Sequence, residues 1–339
     1  MKMERGFDFQ GSKITLAEYM PQWLENSKTA LRAKTAHQYG QVMNKHIIPH
    51  IGSIALKDLR LAKIEKYYAD LTHVGVGTRT VRICHNIIHK AMEKALRYGL
   101  VTYNPAPGAT LPRYTHSEMY VLDEAQVSQF LIAAQENPYR ALYHVAITTG
   151  MRQGELFGLK WIDLQWLKGI LHLQRQVQKV PGQAWSFVEP KTKSGKRTMK
   201  LGEGTLQVLR EHKSQQELWK MKKGERWQEN DLIFPTSIGI PGDPGNLRID
   251  FNRTLVSAGL SRIRFHDLRH TEASLLLNHG VPVIVVSKML GHSKPSTTLD
   301  IYGHLYKEMQ DEAAEVMDKL VTPIAVQIPQ QPVKVSRYS

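Results

Sequence analysis

Ten residues, YNPAPGATLP at 103–112, constrain this chain most, because they hold three prolines and a glycine. Proline fixes its own φ and has no N–H for a ladder, so neither a helix nor a central strand crosses such a stretch. The 339 residues therefore divide into a smaller N-terminal part and a larger C-terminal part, joined by a stiff, extended linker. Length alone suggests the same count, roughly two domains. The boundaries expected are an N-terminal extension at 1–13, a first domain at 14–102, the linker at 103–117, a second domain at 118–320 and a tail at 321–339.

Before the linker the pattern is helical. Leu16, Tyr19, Met20, Trp23 and Leu24 recur at helical spacing, and Tyr39, Val42, Met43 and Ile47 do so again. HIIPHIG predicts a break in that second helix at Pro49 and Gly52. Further helices are predicted over 61–72 and 77–97, which makes 14–100 a small bundle of about four helices. The one cysteine, Cys84, lies on an apolar stripe with Ile87, Ile88, Ala91, Met92 and Ala95. It reads as a buried structural thiol, and no internal disulfide can form.

After the linker, Asp123 is expected to cap a helix whose apolar face is Val127, Phe130, Leu131 and Ala134. Helices over 137–150 and 152–160 should follow. The period then changes: GILHLQRQVQKV, WSFVEPK and KRTMKL read as short strands joined by PGQA and TKSG turns. From Glu203 the pattern is mostly helical again, ending in an amphipathic helix over 305–320. The fold class expected is mainly α with a small antiparallel β-sheet (α+β). In the tail, Ile324, Val326 and Ile328 share one side of a potential strand that could add to a neighbour's sheet edge. Nearby prolines suit a loose end equally well.

Lys and Arg outnumber Asp and Glu by 45 to 31, a formal charge of +14. In a chain hydrophobic enough to build a core, that excess points to a polyanionic partner, nucleic acid foremost. The opening MKMERGFDFQ has no apolar signal core, and no apolar run approaches membrane-spanning length. With a single cysteine, this suits the reducing cytoplasm.

The chemistry concentrates in FHDLRHTEASLLL, residues 265–277. His266 and His270 are four apart, and Arg269 shares their helix face. Two such histidines can begin a zinc site, with His292 or His304 available on paper to complete it. Against that, a guanidinium on the ligand face repels a dication, and no motif-like segment supplies clustered carboxylates. The alternative is an anion gripped by cation and imidazole together. TTGMRQGELFGLKW sets Arg152 at the start of a helix, where backbone N–H groups already favour anions. EPKTKSGKR sets Lys193 in a tight turn between strands. LGHSKPSTTLDIYGH supplies His292 and Tyr302. Taken singly, each has a plain structural reading as a surface charge, a solvated turn residue or a half-buried aromatic.

Taken together, these segments resemble the tyrosine recombinase (phage-type integrase) family, whose site is Arg, Lys, His-x-x-Arg, His and Tyr in that chain order. The matching positions are Arg152 in TGMRQGEL, Lys193 in TKSGKR, His266 and Arg269 in HDLRH, His292 in LGH and Tyr302 in DIYGH. Lys191, two residues before Lys193, remains the alternative in its turn. RAKTAHQYGQVMNKHIIPHIG and YGLVTYNPA are similar to the family's helical core-binding domain, so the likeness runs from about 14 to 320. It implies a core-binding domain at 14–102 and a catalytic domain at 118–320 that close around duplex DNA.

The resemblance further implies a site-specific recombinase that integrates or excises a phage or mobile element and needs no cofactor. Its partners would be attachment-site DNA, a homotetramer of the chain, and an excisionase or DNA-bending protein. Tyr302 would attack the scissile phosphate to form a 3′-phosphotyrosyl link, with Arg152 and Arg269 clamping the phosphoryl oxygens. Lys193 would protonate the leaving 5′ oxygen, His266 would assist the tyrosine's proton transfer, and His292 would donate to a phosphate oxygen. Glu155 would orient the site, and His270 would face elsewhere or pack behind it.

Phosphate contacts are expected from Arg32, Lys34, Arg79 and Arg82 in the first domain, and from Lys196, Arg197, Arg262, Arg264 and Lys294 in the second. Many phage and conjugative-element integrases carry an arm-site domain ahead of the core-binding domain. Here about a dozen residues precede the first helix, which implies a simpler recombinase or an arm-site domain outside this sequence. Two other functions share some of these features: a type IB topoisomerase-like enzyme, with related tyrosine chemistry, and a catalytically idle DNA-binding protein.

Overall fold

The computed structural model describes residues 13–113, 120–190, 193–303 and 309–321, with Lys193 and residues 309–313 described by their backbone alone. The expected strand in the tail, like Lys191 and His304, lies outside the described residues. The chain forms two compact units, Met1–Glu118 with Gln178–Ser186 and Met119–Val177 with Phe187–Ser339.

The first unit is helical: α1 (Leu16–Ser27), α2 (Ala33–Val42), α3 (Ile48–Ile51), α4 (Leu61–His73) and α5 (Thr78–Arg97). Thr15 opens α1 with a reciprocal capping box to Glu18, which satisfies donors the first turn would otherwise leave unpaired. The apolar stripes read from the sequence converge in one core, with Leu16, Tyr19, Ile47, Ile64, Cys84 and Ile88 fully enclosed. The break expected at Pro49 is absent. Met43–Ile47 form a π-helical turn that carries the chain from α2 directly into α3, where Pro49 occupies a first-turn position. A wider turn relieves the register that proline would otherwise disrupt, so the helix ends only at Gly52.

The second unit opens with α6 (Glu124–Ala133) and continues through α7 (Arg140–Thr149) and α8 (Gln153–Leu156). Asp123 caps α6 as expected, again with a capping box, here to Gln126. The helix predicted over 152–160 stops at Leu156. Beyond it the backbone pairs with a distant segment instead, Ile233 N–H donating to Leu159 O and Trp161 N–H to Asp231 O, each at 2.9 Å. Strands β1 (Leu164–Gln165), β2 (Ile170–Leu173), β3 (Gln176–Gln178), β4 (Ser186–Val188) and β5 (Arg197–Lys200) follow. β2 is the centre of an antiparallel sheet ordered β1-β2-β5, with Leu171 opposite both Leu164 and Met199, while β3 and β4 pair separately.

The remaining elements are α9 (Glu203–Lys223), α10 (Pro244–Ser257), α11 (Asp267–Asn278), α12 (Val283–Leu290), α13 (Pro295–Tyr302) and α14 (Met309–Val321). α7 lies against α9 and α11, α11 against α12, and α12 against α13. α7 is tied to α10 by the Tyr143 hydroxyl, which donates to Asp250 at 2.6 Å. Among the described residues, no helix is long and apolar enough to cross a membrane.

Candidate active site

The site grows from the end of α7. Gly150 closes that helix in the left-handed conformation, φ 57°, and a Cβ there would stand 2.7 Å from a carboxylate oxygen of Glu272. Only glycine meets both demands. The chain then turns into α8 with Arg152 at its N-cap. Arg269, in the first turn of α11, comes up beneath this corner. It is 3 % exposed, and it donates to Gly150 O at 2.7 Å and to Leu290 O at the end of α12. Among the described residues, those carbonyls take two of the guanidinium's five N–H donors.

Glu155 organises the cations. Its carboxylate accepts from Arg152 N at 2.9 Å, from Arg152 Nη1 at 2.9 Å, and from Arg197 Nη1 and Nη2 at 3.3 and 3.0 Å. Burial alone would raise its pKa, but the Arg197 and Arg152 contacts prevail and hold it below the usual carboxylate range. This is the orienting part expected of Glu155. Arg197, in contrast, was expected on the DNA surface and is not there. Its side chain is 6 % exposed, and Nε donates to Met289 O. Alternation along β5 turns Arg197 inward, with Met199, and charge alone cannot reveal which side of a strand faces out.

The α12–α13 turn brings in the third component. Gly291 ends α12 with φ 69°, and a Cβ on it would meet Ser194 O at 2.8 Å and Arg197 Nη1 at 3.0 Å. The turn Lys193–Gly195 between β4 and β5 is therefore seated directly on the LGH turn. His292 follows, its Nδ1 2.8 Å from the hydroxyl of the enclosed Thr298. Burial and the nearby Arg269, Arg152 and His270 lower its pKa to about 4. His266 stands at the N-cap position of α11 without a side-chain capping bond and is exposed to solvent. Partial burial, then His270, Arg269 and Arg152, push its ring below the usual value.

Tyr302, the last residue of α13, is 1 % exposed and packs with Ala273, Leu277, Val286 and Leu290. Its hydroxyl lies 2.7 Å from Nδ1 of His270. Of the two places the sequence left for His270, facing elsewhere or packing behind the clamp, the first is excluded. His270 stands between the tyrosine and His266, whose ring it meets edge-on at 5.4 Å. The signal was present in the i, i+4 spacing of the two histidines, but the partner is 32 residues further on. Burial raises the Tyr302 pKa, and Arg269 partly offsets this. Glu272, also missed, is 3 % exposed, and among the described residues neither carboxylate oxygen has a hydrogen-bond partner. Burial lifts it to about 7 against the pull of Arg269 and Arg197.

The structure thus gathers Arg152, Arg269, His266, His292 and Tyr302 with the backbone of Lys193. The expected phosphate contacts sort less evenly. Arg32, Lys34, Arg79, Arg262 and Lys294 are exposed. Arg82 is half-buried and donates to Pro112 O at 3.1 Å. Arg264 is paired with Asp267 at 2.7 Å and Lys196 with Glu189 at 2.7 Å.

Residues 120–309 match the model of the phage integrase family, and residues 15–72 match that of the phage integrase N-terminal SAM-like domain. The first of these covers more than half of the chain, and the chain belongs to the phage integrase family. It is a tyrosine-type site-specific recombinase of mobile DNA. It is 29 % identical over 332 residues to a tyrosine recombinase XerC-like protein of Caldanaerobacter subterraneus subsp. tengcongensis, covering 92 % of this chain and 84 % of the relative. It is 26 % identical over 286 residues to the ICEBs1 integrase of Bacillus subtilis (strain 168), covering 83 % and 76 %. The fold is similar to that of the Tn1549 transposon integrase in complex with transposon right end DNA, with TM-score 0.74, 17 % identity, and 91 % and 100 % of the two chains covered. A lambda integrase tetramer bound to a Holliday junction gives TM-score 0.62, 18 % identity, and 84 % and 77 %.

Proposed function

We propose that the chain cuts and rejoins duplex attachment-site DNA with Tyr302 as nucleophile, passing through a 3′-phosphotyrosyl intermediate. The observation that carries this is the Tyr302 hydroxyl, at the end of α13, lying 2.7 Å from His270 of α11 and within the electrostatic reach of the buried Arg269. Arg269 offers its remaining donors to the non-bridging oxygens, and Arg152, steered by Glu155, offers the second guanidinium. Oriented donors of this kind are worth about 3 kcal/mol each in a charged transition state. His292 donates to the same oxygens from Nε2 in the tautomer whose Nδ1 accepts from the Thr298 hydroxyl. Lys193, whose turn is seated on Gly291, protonates the leaving 5′ oxygen. Storing the bond energy as a phosphotyrosine makes the exchange independent of ATP.

Recombination joins two duplexes, so four copies of the chain assemble on DNA, as the lambda integrase does on its junction. The test is Tyr302→Phe on a nicked suicide substrate. The variant is expected to bind DNA and form no denaturant-stable adduct. An adduct that persists, or that maps to another tyrosine, overturns the assignment.

A further inference from the structure

We propose that His270 is the base that takes the phenolic proton of Tyr302 during cleavage and returns it during rejoining. The inference rests on Tyr302 being the nucleophile. It assigns to His270 a part that the motif pattern gives to His266.

The geometry favours His270 on three counts. Its Nδ1 is 2.7 Å from Oη, within range for direct proton transfer. Among the described residues, His266 meets the ring of His270, and it is His270 whose ring meets Tyr302. His292 is unsuited, because its Nδ1 is taken by Thr298. Around His270 stand Asp267, Arg269, Arg264 and His266 from its own helix and the turn before it. Tyr302 approaches from α13, and His292 from the turn after α12. Burial, Arg269 and Arg264 lower the ring's pKa, while Asp267 opposes them. A neutral ring has the lone pair that accepts a proton, and the carboxylate stabilises the imidazolium that results.

The step balances. The Tyr302 Oη–phosphorus bond forms as the phosphorus–O5′ bond breaks. The phenolic proton moves to Nδ1 of His270, and Lys193 supplies the proton that leaves with the 5′ oxygen. Rejoining runs the same transfers backwards.

The experiment is single-turnover adduct formation on a nicked suicide substrate across pH, using the full chain. His270→Gln and His270→Ala are each compared with Tyr302 or a fluorinated tyrosine of lower phenol pKa at position 302. Glutamine can still accept a hydrogen bond from the phenol but cannot take its proton. Both variants are expected to bind DNA normally and to cleave at least about a hundredfold more slowly. Fluorination should restore much of that loss in the variants and add little to the wild type. The wild-type rate should fall as pH drops through the titration of His270, because imidazolium cannot accept. In the variants the rate should instead climb steadily with pH, following the phenolate. A wild-type rate in His270→Gln overturns the proposal, and so does a slow variant that fluorination does not rescue. If His270→Ala does not fold, the glutamine variant carries the test alone. Absence of a Tyr302 adduct in the wild type would instead refute Tyr302 as nucleophile, which keeps the two failures apart.

Discussion

Two carboxyls in one cluster of arginines are pushed in opposite directions. Glu155 accepts four hydrogen bonds and is held low. Glu272 accepts none among the described residues and is lifted to about 7. Charge alone does not fix a buried carboxyl's state; donors aimed at its oxygens do. The consequence for stability has a definite sign. Below the ordinary glutamate pKa of 4.5, residue 272 is protonated in both folded and unfolded chains. Between there and about 7, the unfolded chain releases the proton while the folded one keeps it, so this contribution is lost as pH rises. The loss is on the order of 3 kcal/mol at most. Glu272→Met, similar in length and without a charge to bury, should therefore unfold at higher urea than the wild type at pH 8. The difference should shrink as pH falls towards 4.5. Parallel wild-type and variant curves across that window would show that Glu272 is not perturbed.

At the scale of elements, the site depends on one turn resting on another. Any side chain at 291 would press on Ser194 O and strain a left-handed backbone, displacing the turn that carries Lys193. Gly291→Ala should slow cleavage of ordinary DNA by up to about a hundredfold, a part of the roughly 10²–10⁴-fold that a positioned general acid contributes. It should affect far less a substrate with sulfur at the 5′-bridging position, since a thiolate leaves without a proton. Equal losses on both substrates would refute this coupling. The same distinction between local and distant contacts explains what could be read from the sequence. Apolar spacing located α1, α4, α5, α6 and α7, because a helix's periodicity is written within itself. The π turn before Pro49 was not legible, because a proline alone does not show how a wider turn accommodates it. The early end of α8 depends on pairing with residues 231–233, more than seventy positions away. Likewise, motif order identified Arg152, His266, Arg269, His292 and Tyr302 as a group. Tertiary packing alone decided that Arg197 serves the interior and that His270 meets the tyrosine.

Over the whole molecule, the charge of +14 becomes a question of which cations remain free to face a phosphate backbone. Arg32 and Lys34 at the start of α2 are exposed, whereas the buried Arg197 is committed to Glu155. Each phosphate neutralised contributes about 0.9 to the slope of log affinity against log salt. Replacing Arg32 and Lys34 together by alanine should therefore flatten that slope by nearly 2, as measured by titration of a single site across salt concentrations. An unchanged slope would remove both from the interface. The enclosure of Tyr302 has a further consequence, for the safety of the genome that houses such an enzyme. A chain that diffuses over chromosomal DNA meets vastly more wrong phosphates than right ones. If Tyr302 is the nucleophile proposed above, it must leave this packing to reach a phosphate, and every 1.4 kcal/mol by which the packing is favoured over that exposed arrangement reduces accidental nicking tenfold. On that assignment, a substitution at Leu277 or Leu290 that loosens the packing of Tyr302 is expected to appear as background breakage across the genome before it appears as a loss of recombination.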